Sequence, residues 1–192
     1  MKSFLEWVVQ IECNYLYLCA EKLWQMERTL SFTGHRPEKI KGYTSHPQEV
    51  EARVREALAE AVKMFYRHGY RRFMTGMADG VDLWAADEII RLREEGVMSE
   101  AEIVAVVPFR GHHRTTNTPA LYQRVSDAAT ERIFICEEYH HNCYALRNDY
   151  LVDNASALIA YCEGTPGGTK YTMNRAKNRG LTIFDIVNPA MF

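Results

Sequence analysis

Arg72-Phe73-Met74-Thr75, followed by Gly76-Met77-Ala78-Asp79-Gly80-Val81-Asp82, reads as a short strand, a glycine turn and a helix start. The β-prone run stops at the first glycine, and helical periodicity takes over and continues to about Glu94. The same grammar recurs on both sides. Upstream, Thr29–Thr33 is a strand ended by Gly34-His35-Arg36-Pro37, and Val50, Val54, Leu58, Ala61, Val62 and Phe65 mark a helix closed by Gly69. Downstream, Ile103–Val107 is a continuous apolar strand, the kind buried on both faces, ending in Pro108-Phe109-Arg110. A helix near Ala120–Ala129, a strand over Arg132–Cys136, a helix over Tyr144–Asn154 and a strand over Ala157–Tyr161 follow. Glu163–Thr169 opens a last helix that Gly180 closes before a strand over Leu181–Val187.

About six strands alternating with helices predict an α/β fold: a Rossmann-like, doubly wound, mainly parallel sheet with helices on both faces. Right-handed crossovers set every strand's C-terminal end along one edge, where such sheets bind ligands. The glycine-rich turns collect on that edge. Residues 28–192 are expected to form this domain. Residues 1–27 are expected to be a helical extension, because Phe4, Trp7, Val8, Ile11, Tyr15, Leu18 and Cys19 recur at helical spacing. Met26 would serve equally as a start.

The chain has 192 residues, enough for one domain with a full core. Its 23 Lys and Arg against 25 Asp and Glu leave a net charge of −2, without the basic excess of a nonspecific nucleic-acid binder. The five cysteines, Cys13, Cys19, Cys136, Cys143 and Cys162, are odd in number and irregularly spaced, which suits a reduced, cytoplasmic setting. No stretch approaches the roughly 20 apolar residues of a membrane span. Homo-oligomerisation stays open.

Three loops carry candidate chemistry. In Thr75–Asp82, Gly76 and Gly80 would let backbone N–H groups approach an anion at a helix start. Asp79 and Asp82 there suit ribose hydroxyls, backbone amides or plain helix capping rather than phosphate. In Gly164–Thr169, Pro166, Gly167 and Gly168 form a second cradle to which Thr169 adds a hydroxyl. In Gly34-His35-Arg36, the Arg36 guanidinium can fork onto phosphate, and His35 is an acid, a base or a hydrogen-bonding wall. Phe109 and Tyr161, near strand ends, are candidate base-stacking rings, with Arg110 beside the first. His112-His113, and His140-His141 with Cys143, show no tetrahedral ligand spacing, so no metal is expected.

Taken together, Thr33–Pro37, Thr75–Asp82, Arg147-Asn148-x-x-Leu151-Val152-Asp153 and Gly167-Gly168-Thr169 resemble the SLOG superfamily over residues 28–187. That superfamily includes DprA and the LOG phosphoribohydrolases, and the full run is most similar to its small YpsA-like bacterial branch. The resemblance implies a Rossmann-like domain that binds a nucleotide or nucleotide-derived ligand such as ADP-ribose, NAD or a nucleoside monophosphate. A sensor or regulatory module is the leading expectation. A hydrolase of N-glycosidic bonds is the alternative, with a DprA-like single-stranded DNA binder behind it. The LOG motif Pro-Gly-Gly-x-Gly-Thr-x-x-Glu supplies a hydrolytic Glu, whereas Pro166–Asn174 has none; the LOG helix arginine is matched by Arg147.

Overall fold

The computed structural model describes residues 28–164 and 166–188. The expected helix of the first 27 residues lies outside these. Six strands, β1 (Thr29–Gly34), β2 (Arg72–Thr75), β3 (Glu102–Phe109), β4 (Glu131–Cys136), β5 (Ala157–Tyr161) and β6 (Thr182–Asp185), form one sheet. Between them run helices α1 (Pro47–Arg67), α2 (Val81–Glu94), α3 (Pro119–Ala128), α4 (Cys143–Asp153) and α5 (Gly168–Asn178). The spatial order is β4-β3-β2-β1-β5-β6 and every pairing is parallel. The chain steps outward from β1 to β4, then returns to the other side of β1 for β5 and β6. The switch point therefore lies between β1 and β5.

Period-two alternation along the strands sorts the core into two layers. Leu30, Phe32, Phe73 and Ile103 face one way and pack with Val54 and Leu58 of α1, Leu83 and Ile89 of α2 and Val125 of α3. Met74, Val104 and Val106 face the other way and meet Leu151 of α4. Val152 of α4, Leu158, Ala176 of α5 and Ile183 complete that second layer. Helices on both faces explain why the central strands read as unbroken apolar runs. On the outer surface Arg55 of α1 bridges to Asp87 and Glu88 of α2, and Arg124 of α3 bridges to Asp87 and Glu94.

Strand bounds depart from expectation by more than one residue at β3 and β6. β3 runs on through Pro108 to Phe109, pairing with Cys136 of β4. β2 stops at the Thr75↔Ala105 pair, so from Val106 onward β3 has one neighbour and a proline interrupts a single ladder. β6 is shorter than the expected Leu181–Val187 because its pairing with β5 ends at Asp185. No described helix is long and apolar enough to cross a membrane.

Candidate functional site

A cleft of about 260 Å³ opens at the switch point, outside the C-terminal ends of β1 and β5. Its floor is the end of β1. One wall is α4, which presents Tyr144, Arg147 and Asn148, and the other is the N-terminus of α5.

Arg147 organises the deep end. Its side chain is buried, and Nη1 donates to the carbonyl oxygen of Gly76 and, at 2.9 Å, to Oδ2 of Asp82. Asp82 also accepts from the Ala78 N–H; burial pushes its carboxyl up, and the Arg147 guanidinium opposes that rise. The Arg147 Nε is buried and has no hydrogen-bond partner among the described residues. A buried, unspent N–H on a cation is costly to leave unmade. It marks where an acceptor belongs.

The N-terminus of α5 is the second donor group. Gly167 is its N-cap at φ 150 and ψ −168, a conformation essentially reserved for glycine, and no side chain caps the helix. The first-turn N–H groups lack intrahelical acceptors and carry the positive end of the helix dipole, and the first turn contains no acidic residue. A Cβ on Gly168 would lie 3.5 Å from Asn148 Nδ2, so the two walls are in near contact.

At the rim stand Arg36 and Lys39, on a 3₁₀ turn over Pro37–Lys39. Both are exposed, and neither side chain makes a hydrogen bond or ion pair with a described residue. His35 lies between rim and floor. The Glu163 N–H donates to its Nε2 at 3.1 Å, which leaves the proton on Nδ1, 3.5 Å from Thr169 Oγ1. Burial lowers its pKa against the pull of Glu163. His35 is thus a neutral joint between the β1 and β5 loops.

Of the sequence-predicted residues, Gly34, His35, Arg36, Asp82, Arg147, Asn148, Pro166, Gly167, Gly168 and Thr169 line the cleft. Seven others stand apart from it. Thr75 spends its hydroxyl on the Asp82 carbonyl and accepts from the Met77 N–H, steadying a turn in which Met77 takes φ 58. Gly76 makes room for Arg147: a Cβ there would overlap the guanidinium. Gly80, at φ 89, abuts His35 and Pro37, and Val81 beyond it is fully buried, so the α2 N-terminus is packed rather than open to an anion. Asp79 neither caps α2 nor faces the cleft. It accepts from the hydroxyls of Thr116 and Thr118 and the N–H of Asn117, and these hold its pKa down against the desolvation that would raise it.

Phe109 is buried beneath the α4 wall, in a ring cluster with His112, Tyr139 and Tyr144. Tyr161 is likewise buried, its hydroxyl on Glu163. Arg110 points outward onto Glu137 and the Phe134 ring. Gly164 borders a separate hollow with Lys41 and Asn188.

Sequence reasoning missed Lys39 and Tyr144 as lining residues. Tyr144 was within reach of the pattern, three residues before Arg147 and so on the same helix face. Lys39 was also within reach, one short turn after Arg36.

The all-parallel sheet, its switch-point cleft and the glycine-capped α5 define a Rossmann-like α/β protein. More particularly, the chain belongs to the YspA SLOG family, whose sequence profile matches residues 30–184. It is similar to a UPF0398 protein of Bacillus velezensis, 23% identical over 83% of this chain and 91% of that one. A UPF0398 protein of Bacillus thuringiensis is also 23% identical, over 80% of this chain and 84% of its own. Among solved structures, DNA processing protein A (DprA) from Streptococcus pneumoniae superposes with a TM-score of 0.54 at 15% identity. That match covers 84% of this chain and 50% of DprA, so this chain spans about half the DprA length. The expected SLOG membership and Rossmann-like architecture both hold.

Proposed function

We propose that this protein is a cytoplasmic binding module for a phosphate-bearing, nucleotide-type ligand, acting as a sensor or regulatory domain. One observation carries the reading: Arg147, whose buried Nε has no partner among the described residues, lines the same cleft as the uncapped N-terminus of α5. Arg36 and Lys39 add two uncommitted cations at the mouth. A phosphate would take the Arg147 edge and the first-turn N–H groups together. At about 260 Å³ the cleft is smaller than the roughly 300–1,000 Å³ that enclose drug-sized ligands, which favours a phosphosugar held inside with any base outside.

A hydrolase needs a carboxylate free to activate water. Among the described lining residues the only carboxylate is Asp82, and Arg147 holds it. This favours binding over turnover. Single-stranded DNA is a poorer candidate still, because Arg71 and Arg72, at the opposite end of the sheet, are paired with Glu100, Glu102 and Glu131.

Thermal unfolding of the full chain with ADP-ribose, NAD, a nucleoside monophosphate and the matching nucleosides is the test. Phosphate-bearing ligands should raise the midpoint by mass action, and nucleosides should do far less. Equal shifts from both groups would remove the phosphate reading, and release of free base would restore the hydrolase.

A further inference from the structure

At the N-terminal end of α4, on the far side of the Phe109 ring cluster, three soft ligand groups converge. Cys136 is the last residue of β4, His140 lies in the following loop, and Cys143 is the first residue of α4. One ligand atom from each lies within 4.8 Å of the other two. The sequence reading paired Cys143 with the two histidines and left Cys136 out. The tight β4–α4 loop brings that thiol back.

We infer that Cys136, His140 and Cys143 form a binding site for Zn²⁺ or a similar thiophilic divalent ion. The donor set, two thiols and an imidazole, is the soft combination that selects such metals over Mg²⁺ or Ca²⁺. Tetrahedral geometry with metal–sulfur bonds of about 2.3 Å and metal–nitrogen bonds of about 2.0 Å needs ligand atoms about 3.5–3.8 Å apart, so the group closes by about 1.3 Å at most. The surroundings already orient it. The His140 N–H donates to Cys143 Sγ at 3.1 Å, the kind of bond that supports a metal-bound thiolate. The Asn142 N–H donates to His140 Nδ1 at 3.3 Å, a bond the ring gives up when it ligates the ion.

Cys136 is half-buried and Cys143 buried, while His140 is exposed, so an ion can enter from the His140 side. Binding releases the two thiol protons to solvent, including the one Cys143 directs at the Glu138 carbonyl. With three protein ligands, the fourth position is left for water.

The site has a structural consequence for the cleft. Cys143 lies one helical turn before Arg147, and the loop it would pin carries Tyr139, which packs on Phe109 and Tyr144. A bound ion fixes the wall on which Tyr144 and Arg147 stand, whatever the cleft holds.

Cobalt(II) titration of the reduced full-length protein reads the site directly, through the visible bands of a tetrahedral thiolate complex. One equivalent should bind and be displaced by Zn²⁺. Affinity should fall at least about 100-fold in Cys136→Ser and about 10-fold in His140→Ala, because each removes a ligand. Cys162→Ser and the Cys13→Ser/Cys19→Ser double variant should bind as the parent does. His140 is exposed, so its variant stays informative even if Cys136→Ser folds poorly. The inference is overturned if no thiolate band appears at stoichiometric cobalt. It is equally overturned if the band survives both ligand substitutions, or if Cys136 and Cys143 join as a disulfide in air and the reduced protein takes up no metal.

Discussion

The Arg147 guanidinium occupies the space that a side chain at Gly76 would fill, and it donates to the Gly76 carbonyl there. Gly76 is therefore a structural partner of Arg147. Gly76→Ala should push the guanidinium off Asp82 and leave both charges buried without their pairing. A loss of about 3–5 kcal/mol is expected, as when a buried pair is broken. Urea denaturation with the slope held constant measures it, and a loss below about 1 kcal/mol would show that the pair can re-form elsewhere.

The same pair dictates how Arg147 is tested. Arg147→Ala would strand the Asp82 carboxylate and confuse stability with binding. Arg147→Lys keeps a cation beside Asp82 but lacks the Nε–H edge. It should stay folded and weaken a phosphate ligand by about 1.5–3 kcal/mol, the worth of a charge-assisted bond. Calorimetry against the best ligand of the thermal screen decides, and unchanged affinity would place the phosphate elsewhere.

The strands and most helix bounds were legible because each rests on local pattern: ALIAY at 157–161 and RFMT at 72–75 are strands by composition alone. The anion cradle at Gly167-Gly168-Thr169 was legible for the same reason, a turn signal at a helix start. What stayed hidden depends on partners remote in sequence. Asp79 looked like a ligand group until Thr116, Asn117 and Thr118, from a different loop, filled its acceptor sites. Asp82 reads equally as a ligand group or a cap, because nothing local announces an arginine 65 residues on. Phe109 lies at a strand end as expected, but His112 from the loop after β3 and Tyr139 from the β4–α4 loop pack their rings against it.

His112 gives a pH dependence. It is buried among Phe109, Tyr122 and Tyr144, its Nδ1 lacks a partner among the described residues, and burial lowers its pKa from 6.5 to about 4. The unfolded chain takes up the proton first, so this contribution to stability is fully present above pH 6.5 and is lost as pH falls toward 4. The slope is about 1.4 kcal/mol per pH unit, up to about 3 kcal/mol across the window. His112→Phe, similar in shape and without the orphan nitrogen, should match the parent near pH 7 and be more stable near pH 4.5. Parallel stability curves for the two proteins would show that His112 titrates normally.

Residues 1–25 precede β1, and β1 finds both of its sheet neighbours, β2 and β5, within the described residues. A chain starting at Met26 should therefore unfold cooperatively and keep its response to phosphate ligands. Loss of the cooperative transition would assign the leading segment to the core, and a changed sedimentation profile alone would assign it to self-association.

The final prediction separates rim from cradle. Arg36 makes no hydrogen bond or ion pair with a described residue and only a longer-range attraction to Asp79 and Asp82, so Arg36→Ala should cost little in stability and weaken phosphate-ligand affinity by about 1.5–3 kcal/mol. The loss should shrink with added salt because the residue is exposed. Gly168→Ala acts differently. Gly168 has no positive φ, and its Cβ would sit at ordinary contact distance from Asn148, so the fold should tolerate it. The added methyl nonetheless faces the space between α4 and α5, so affinity should fall by a salt-independent amount. Lys63→Ala, on α1 and paired with Glu60 outside the cleft, is the control and should leave binding unchanged. Calorimetry at low and physiological salt distinguishes the three. If Arg36→Ala and Gly168→Ala both bind like the parent, the ligand does not occupy this cleft.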